Sequence, residues 1–270
     1  MTTIVFFHAH PDDEVSQTAG TMARAAAEGH RVVTVFATNG EHGEAPDDLA
    51  SGETVIDRRR REAETAARVL GVERIHWLGF RDSGMSGWEQ NQDPASFFQA
   101  DVDDAAKRLA QILDWERADV VVGYDWHGNY GHPDHVKVHH VARRATELVG
   151  AGRPKLLEST MNRDLIRTMH LGLVAAGGPV DWDPDVPMDD GNPLGEPESA
   201  ISLQVDVSDF LHLKRTAMEA HRSQATDIES FLALPPEAFR LVFGTEHFIE
   251  SGHQDGETAM RLGWILDESP

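Results

Sequence analysis

The chain has 270 residues, with 46 Asp and Glu against 24 Lys and Arg, giving a formal charge of −22 when His is neutral. A field of that sign repels phosphate backbones and anionic headgroups, so neither nucleic acid nor a membrane surface is expected as a partner. No apolar run approaches the ~20 residues of a membrane span, Thr2–His8 is a short apolar run without the basic flank of a signal peptide, and the absence of cysteine excludes disulfides, thiolate ligands and cysteine nucleophiles. The expected setting is the cytoplasm.

In chain order, Thr3–Phe7 is short, continuous and apolar, the pattern of a buried strand. A helix is predicted over Val15–Glu28, stopped by Gly29. Arg31–Ala37 is a second buried strand. A helix over about Thr54–Leu70 ends at Gly71, and Arg74–Leu78 is a third strand. A helix over about Val102–Trp115 leads into a fourth strand, Asp119–Tyr124, and another helix follows His132. Lys155–Thr160 and Ile201–Val207 are weaker strand candidates. This β-α-β-α order predicts an α/β fold: a Rossmann-like, mostly parallel sheet with helices on both faces. One domain over residues 1–270 is expected. Within it, Asn39–Gly52 is a Gly- and acid-rich loop. Pro179–Glu198 holds five prolines, seven acidic residues and no basic one. Such a segment cannot continue a helix or a central strand. A lid, a spacer and a plain solvated loop are all open readings.

In open parallel sheets, ligands bind beyond the carboxyl ends of the strands. Two segments fall there: His8-Ala9-His10-Pro11-Asp12-Asp13-Glu14 after the first strand, and Tyr130-Gly131-His132-Pro133-Asp134-His135 after the fourth. Strands one and four are neighbours in one common doubly wound order, which would let the segments meet. Imidazoles with one carboxylate, leaving a position for water, make a catalytic zinc site. His10 has Asp13 three residues on; His132 has Asp134 or His135 as a nearby partner. Asp12 places a second carboxylate beside the same centre, where a general base belongs. The first strand-to-helix turn lacks G-x-G-x-x-G, and its acidic residues would repel a pyrophosphate, which argues against a dinucleotide fold.

HPDDE near the N-terminus, paired with GHPDH in mid-chain, resembles the PIG-L/LmbE-like zinc-dependent de-N-acetylases over about residues 4–149. The resemblance implies hydrolysis of the acetyl amide of an N-acetylglucosamine-containing small molecule on an LmbE-like fold. It implies His10, Asp13 and His135 as ligands of Zn2+, with Fe2+ suited to the same nitrogen and oxygen donors. Asp12 would be the general base. His132 would stabilise the oxyanion or protonate the leaving amine, and Tyr130 would polarise the acetyl carbonyl. Arg59-x-x-Glu62 and Arg81-Asp82-Ser83-Gly84-Met85 resemble the subgroup that acts on mycothiol-related sugars, with Arg59 and Asp82 gripping hydroxyls. His221-Arg222-Ser223-Gln224 resembles a late element near the substrate, which makes His221 a substrate-binding candidate. Gln17 occupies the position that separates deacetylases from conjugate amidases in that subgroup and matches neither. An amidase of a larger mycothiol-like conjugate and a non-catalytic sugar-binding protein therefore stand as alternatives, and homo-oligomerisation is open.

Simpler roles compete at several positions. Asp12 can cap the helix that follows it. His8 fits a hydrogen-bonded strand end. Asp134 can orient a neighbouring histidine. His139, one helical turn after His135, fits a structural role better than a ligand role. Arg58–Arg61 point nearly all round a helix, so one of them should face inward while the others pair with nearby acids.

Overall fold

A computed structural model of the chain describes residues 1–152, 154–177, 183–188, 190–253 and 260–267. Its strands are β1 (Thr3–His8), β2 (Arg31–Phe36), β3 (Arg74–Trp77), β4 (Val120–Tyr124), β5 (Lys155–Thr160), β6 (Leu203–Asp206), β7 (Thr245–Glu250) and β8 (Arg261–Leu262). They form one sheet in the order β3-β2-β1-β4-β5-β7-β6-β8. The five strands from β3 to β5 are mutually parallel. β7 runs antiparallel to both β5 and β6.

The helices are α1 (Asp13–Gln17), α2 (Ala19–Ala27), α3 (Val55–Leu70), α4 (Val102–Glu116), α5 (Pro133–Val149), α6 (Arg163–Ala175), α7 (Leu211–Ala220), α8 (Ala225–Leu232) and α9 (Pro236–Phe243). None is long and apolar enough among the described residues to cross a membrane. Alternation along β1 feeds two cores. Ile4 and Phe6 pack with α2, α3 and the α7–α9 group, whereas Val5 and Phe7 pack with α4 and α5. Helices on both faces of a mainly parallel sheet follow from strands that are apolar on both sides.

Three departures from the sequence reading bear on the site. The helix expected over Val15–Glu28 is two helices, broken at Thr18 (φ −132°, ψ 2°), whose hydroxyl reaches His8 Nε2 at 3.2 Å. That break leaves α1 as a separate five-residue helix that begins at Asp13. The chain after residue 207 supplies α7–α9 and the antiparallel β7, elements for which the sequence reading gave no helix or strand. In the acidic loop, residues 179–182 and 189 lie outside the described residues. Its end packs against the protein: Arg163 Nε donates to the Leu194 carbonyl at 3.0 Å, Trp126 Nε1 donates to Glu196, and Gly195 N donates to the Asn129 carbonyl at 2.7 Å.

Behind the first loop, Glu246 of β7 accepts from the Gly20 and Thr21 amides at 2.9 and 2.8 Å, holding the start of α2. Its charge is met by Lys214 Nζ at 2.7 Å, and both side chains are buried. Removing one partner of such a pair strands the other without compensation. Lys214→Met should therefore lower stability by about 3 kcal/mol, read as a lower urea midpoint at unchanged slope; a loss below about 1 kcal/mol would show that the two amides alone satisfy Glu246.

Candidate active site

β1 and β4 are adjacent and in parallel register, Ile4 beside Val120 and Phe6 beside Val122, so the loops that leave them share one edge of the sheet. His132 caps α5: its Nδ1 accepts from the Asp134 amide at 3.1 Å, and Pro133 occupies the first helical position. His135 then sits in the first turn with its ring over the sheet edge. Across from it, Asp13 opens α1 and its Oδ2 accepts from the His10 amide at 2.8 Å. The rings of His10, His132 and His135 lie 4.8–5.4 Å apart, and that of Tyr130 is 4.9 Å from His135.

Hydrogen-bond direction fixes the tautomers. His135 Nδ1 faces the Gly128 carbonyl at 3.3 Å, so Nδ1 carries the hydrogen and Nε2 presents a lone pair. That Nε2 is buried without a hydrogen-bond partner and lies 3.2 Å from Asp13 Oδ1, an acceptor against an acceptor. His10 Nε2 faces Asp134 Oδ2 at 3.2 Å and Asp82 Oδ1 at 3.4 Å, which leaves His10 Nδ1 turned to Asp13 Oδ2 at 3.5 Å. Two imidazole nitrogens and a carboxylate thus converge on a point that needs positive charge, and this donor set fits a divalent cation. A carboxylate holding the far nitrogen of a ligating histidine is the usual support for such a site.

Ligand atoms of His10, His132 and His135 also lie within 4.8 Å of one another, as do those of His10, Asp82 and Asp134. In the first trio the amide bond at His132 Nδ1 puts that ring's hydrogen on Nε2. In the second, the carboxylates face the hydrogen-bearing nitrogen of His10. Neither arrangement offers three lone pairs to one ion.

Charges follow the same geometry. Burial opposes a charged His10, but Asp82, Asp13 and Asp134 outweigh it and hold its pKa well above the ordinary value, so a cation bound at Nδ1 would displace a proton there. Burial would raise Asp13, yet positive charge at His135 and His10, where a cation would stand, holds it well below the carboxylate range. Asp82 is likewise lowered against its burial by His10 and by the Gly84 and His42 amides. Burial drives His132 well below the usual imidazole value, helped by its His10 and His135 neighbours. An imidazolium there would also set a proton on Nδ1 against the Asp134 amide. A neutral ring whose Nδ1 accepts from the Asp134 amide carries its hydrogen on Nε2.

Asp12 is the one side chain of this group with φ in the left-handed region, at 104°. A non-glycine residue held there stores strain, and such positions cluster at active sites. Its carboxylate makes no capping bond, so a capping role falls away. Instead it lies 3.0 Å from Arg59 Nη2. Burial pushes Asp12 up to about 6, with Arg59 pulling down and Asp13 adding to the rise.

A cleft of ≈ 1240 Å³ opens over these residues and is lined by His10, Asp12, Asp13, Arg59, Asp82, Tyr130 and His132. Arg59 is the inward member of its run. It donates to the Gly40 and Pro11 carbonyls, and a Cβ on Gly40 or Gly43 would come within 2.3 Å of its Nη1, so those glycines wrap it. Arg58 and Arg61 pair with Glu53, outside the site. Asp82 lines the cleft, but its oxygens already accept from Gly84 N at 2.8 Å and His42 N at 3.0 Å. Gln17 also lines it, tied to Asn129 Nδ2 at 3.2 Å.

His221 does not reach the cleft. It is fully buried and its Nε2 sits 2.7 Å from Glu14 Oε1, so the substrate-binding role expected for it is corrected to one behind the HPDDE loop. Its neighbours Ser223 and Gln224 carry the motif's other contacts, to Glu62 and Glu44. His8 bonds Tyr124 Oη at 2.9 Å and His139 faces Tyr124 O and Glu158, both structural. Sequence reasoning missed Glu14 as a support, Tyr124 beneath His135, and the apolar wall of the cleft formed by Met161, Met188, Leu194, Ile228 and Phe231. The "E" of HPDDE was the available signal for the first; the wall comes from segments with no motif.

The family described as "PIG-L: GlcNAc-PI de-N-acetylase" matches residues 5–146, more than half of the chain. The chain is 38% identical over 259 residues to a protein of Nocardiopsis dassonvillei named 1D-myo-inositol 2-acetamido-2-deoxy-alpha-D-glucopyranoside deacetylase, covering 89% of this chain and 91% of that one. A protein of the same name from Thermobispora bispora is 37% identical, with 91% and 86% covered. Among solved structures, N,N'-diacetylchitobiose deacetylase from Pyrococcus horikoshii is similar at a TM-score of 0.56 and 25% identity, covering 86% of this chain and 75% of that one.

Gly128 tests how tightly the second loop is built. It adopts φ 64°, and a Cβ would lie 2.3 Å from His135 Cβ and 2.6 Å from the His135 carbonyl carbon. Gly128→Ala should cost about 2 kcal/mol, a Tm loss of about 4–8 °C; an unchanged Tm would mean that the loop relaxes freely.

Proposed function

The chain belongs to the PIG-L family of GlcNAc-PI de-N-acetylases, and from that premise we propose that it is a metal-dependent deacetylase. Its substrate in this reading is a small N-acetylglucosamine-containing molecule, with an N-acetylglucosaminyl inositol first among the candidates, as the names of its relatives suggest. The observation that carries the reading is the buried lone pair of His135 Nε2 set against Asp13, with Asp12 beside it at the floor of the cleft.

His10 Nδ1, Asp13 and His135 Nε2 would hold the ion, zinc or ferrous iron by their donor types. When bound, such an ion polarises an acyl oxygen and lowers the pKa of water towards ~7. The protein's own groups do the rest. Asp12, raised towards neutrality, accepts the proton of the attacking water at its carboxylate. His132 Nε2–H and the Tyr130 hydroxyl donate to the acetyl oxygen as negative charge gathers on it. With His132 neutral, the proton returned to the leaving nitrogen is the one held on Asp12. Arg59, fixed by two carbonyls, keeps Asp12 oriented and presents its remaining surface to sugar hydroxyls. Asp82 has residual acceptor capacity for the same purpose while it supports His10.

A second reading, cleavage of a larger mycothiol-like conjugate, draws support from the size of the cleft, ≈ 1240 Å³ against ~300–1,000 Å³ for ordinary small-ligand sites, and from its apolar wall. Measured kcat/KM for N-acetylglucosaminyl inositol against such conjugates separates the two.

Three outcomes are expected. Chelation should abolish acetate release and an added divalent metal should restore it; full activity in metal-free protein would overturn the reading. Asp12→Asn should keep its metal and lose about 10²- to 10⁴-fold in kcat, measured by amine release. Asp134→Asn should weaken metal capture about 10- to 100-fold in a competitive chelator titration, with affinity at the wild-type value counting against the His10 assignment.

A further inference from the structure

Asp12 at φ 104° is an unfavourable conformation that the surroundings must enforce. One contact does so directly: the Asp12 amide donates to Glu14 Oε2 at 2.8 Å. The other oxygen of the same carboxylate, Oε1, meets His221 Nε2 at 2.7 Å. Glu14 is 3% exposed and His221 is 0% exposed, so this chain of bonds is shielded from water. His221 is the C-cap of α7, and the next residues anchor separately, Ser223 to Glu62 on α3. The bond therefore ties the backbone of the HPDDE loop to a helix more than two hundred residues away in sequence. Nothing in the proposed reaction uses Glu14 or His221, although both are buried and titratable.

We infer that Glu14 and His221 form a positioning pair that holds the Asp12 backbone in its left-handed conformation, and so aims the carboxylate of Asp12 into the cleft. The inference rests on the reading of Asp12 as base. The carboxylate of Glu14 has the right shape: one oxygen receives the strained amide while the other is fixed by the imidazole, so the acceptor cannot swing away. Without it the peptide between Pro11 and Asp12 keeps only its carbonyl contact to Arg59, and Asp12 relaxes towards negative φ with its carboxylate displaced. Misplacement by about 1 Å is enough to cost about 10²-fold in rate.

Two variants separate this role from a merely structural or purely electrostatic one. Glu14→Gln discards the charge but keeps an oxygen within reach of the Asp12 amide. Glu14→Asp keeps the charge but shortens the arm. With N-acetylglucosaminyl inositol as substrate, kcat of the Gln variant should exceed that of the Asp variant by about tenfold, with KM and bound metal within about twofold in both. The reverse order, or equal kcat values, would overturn the inference. A reading independent of turnover is the 15N–1H resonance of the Asp12 amide in the full-length protein. Its proton should lie downfield in the wild type and the Gln variant and move upfield in the Asp variant and in His221→Ala. An unshifted resonance in Glu14→Asp would also overturn the inference, even where kinetics are lost to poor folding. Failure of the base assignment shows differently: Asp12→Asn would then retain full turnover while the amide shifts of the Glu14 and His221 variants keep the same order.

Discussion

Parallel pairing of β1 with β4 is the constraint from which the site follows. Both strands are buried on both faces, so their register is set by two cores at once, and a slip of one residue would exchange apolar side chains between them. With the register fixed, the loops after the two strands open on one edge. His10 and Asp134, 124 positions apart, come within 3.2 Å. The elements around them stiffen this meeting: the break at Thr18, the cap at His132, Pro133 in the first helical position and Gly128 under His135 each remove a way for a loop to drift.

Electrostatics then divide the labour among side chains that look alike in sequence. Three histidines and four carboxylates crowd one buried region, yet each has its proton placed by a specific backbone or side-chain partner. The Gly128 carbonyl turns a lone pair of His135 towards Asp13; the Asp134 carboxylate does the same for His10; the Asp134 amide does the reverse for His132. In the proposed reading two rings are thereby prepared as ligands and one as a donor. The adjacent carboxylates diverge as well. Asp13 is held ionised by positive charge at its two imidazole neighbours, whereas Asp12, left to burial and one guanidinium, is raised towards the range in which a base can both take and return a proton.

Much of this was legible in the sequence because it is local. Strands β1–β4 were visible as apolar runs and β5 and β6 as weaker candidates, and the meeting of the two motifs followed from strand order. The inward turn of one arginine in the 58–61 run followed from helical periodicity. What was not legible depends on long-range packing. Apart from His221-Arg222-Ser223-Gln224, the α7–α9 group and antiparallel β7 lie in a stretch without motif, and their place is set by what they cover. His221 stands beside cleft residues in the chain, since Gln224 lines the cleft, but its own ring points the other way, to Glu14; spacing cannot tell those directions apart. The tautomer of His132 depends on the amide its ring caps, a contact that only the folded backbone sets. The acidic segment before residue 198 packs through Leu194, Gly195 and Glu196 on Arg163, Asn129 and Trp126, contacts that its composition did not announce.

The central claim is that one divalent ion belongs between His10 Nδ1, the Asp13 carboxylate and His135 Nε2. The most direct test is a crystal structure of metal-loaded protein with anomalous data collected at the edge of the added metal. The account predicts a single strong peak about 2.0–2.2 Å from those three ligands, with Asp134 still on the far nitrogen of His10. A peak ligated by His132, or one between His10, Asp82 and Asp134 with His135 left out, would contradict it.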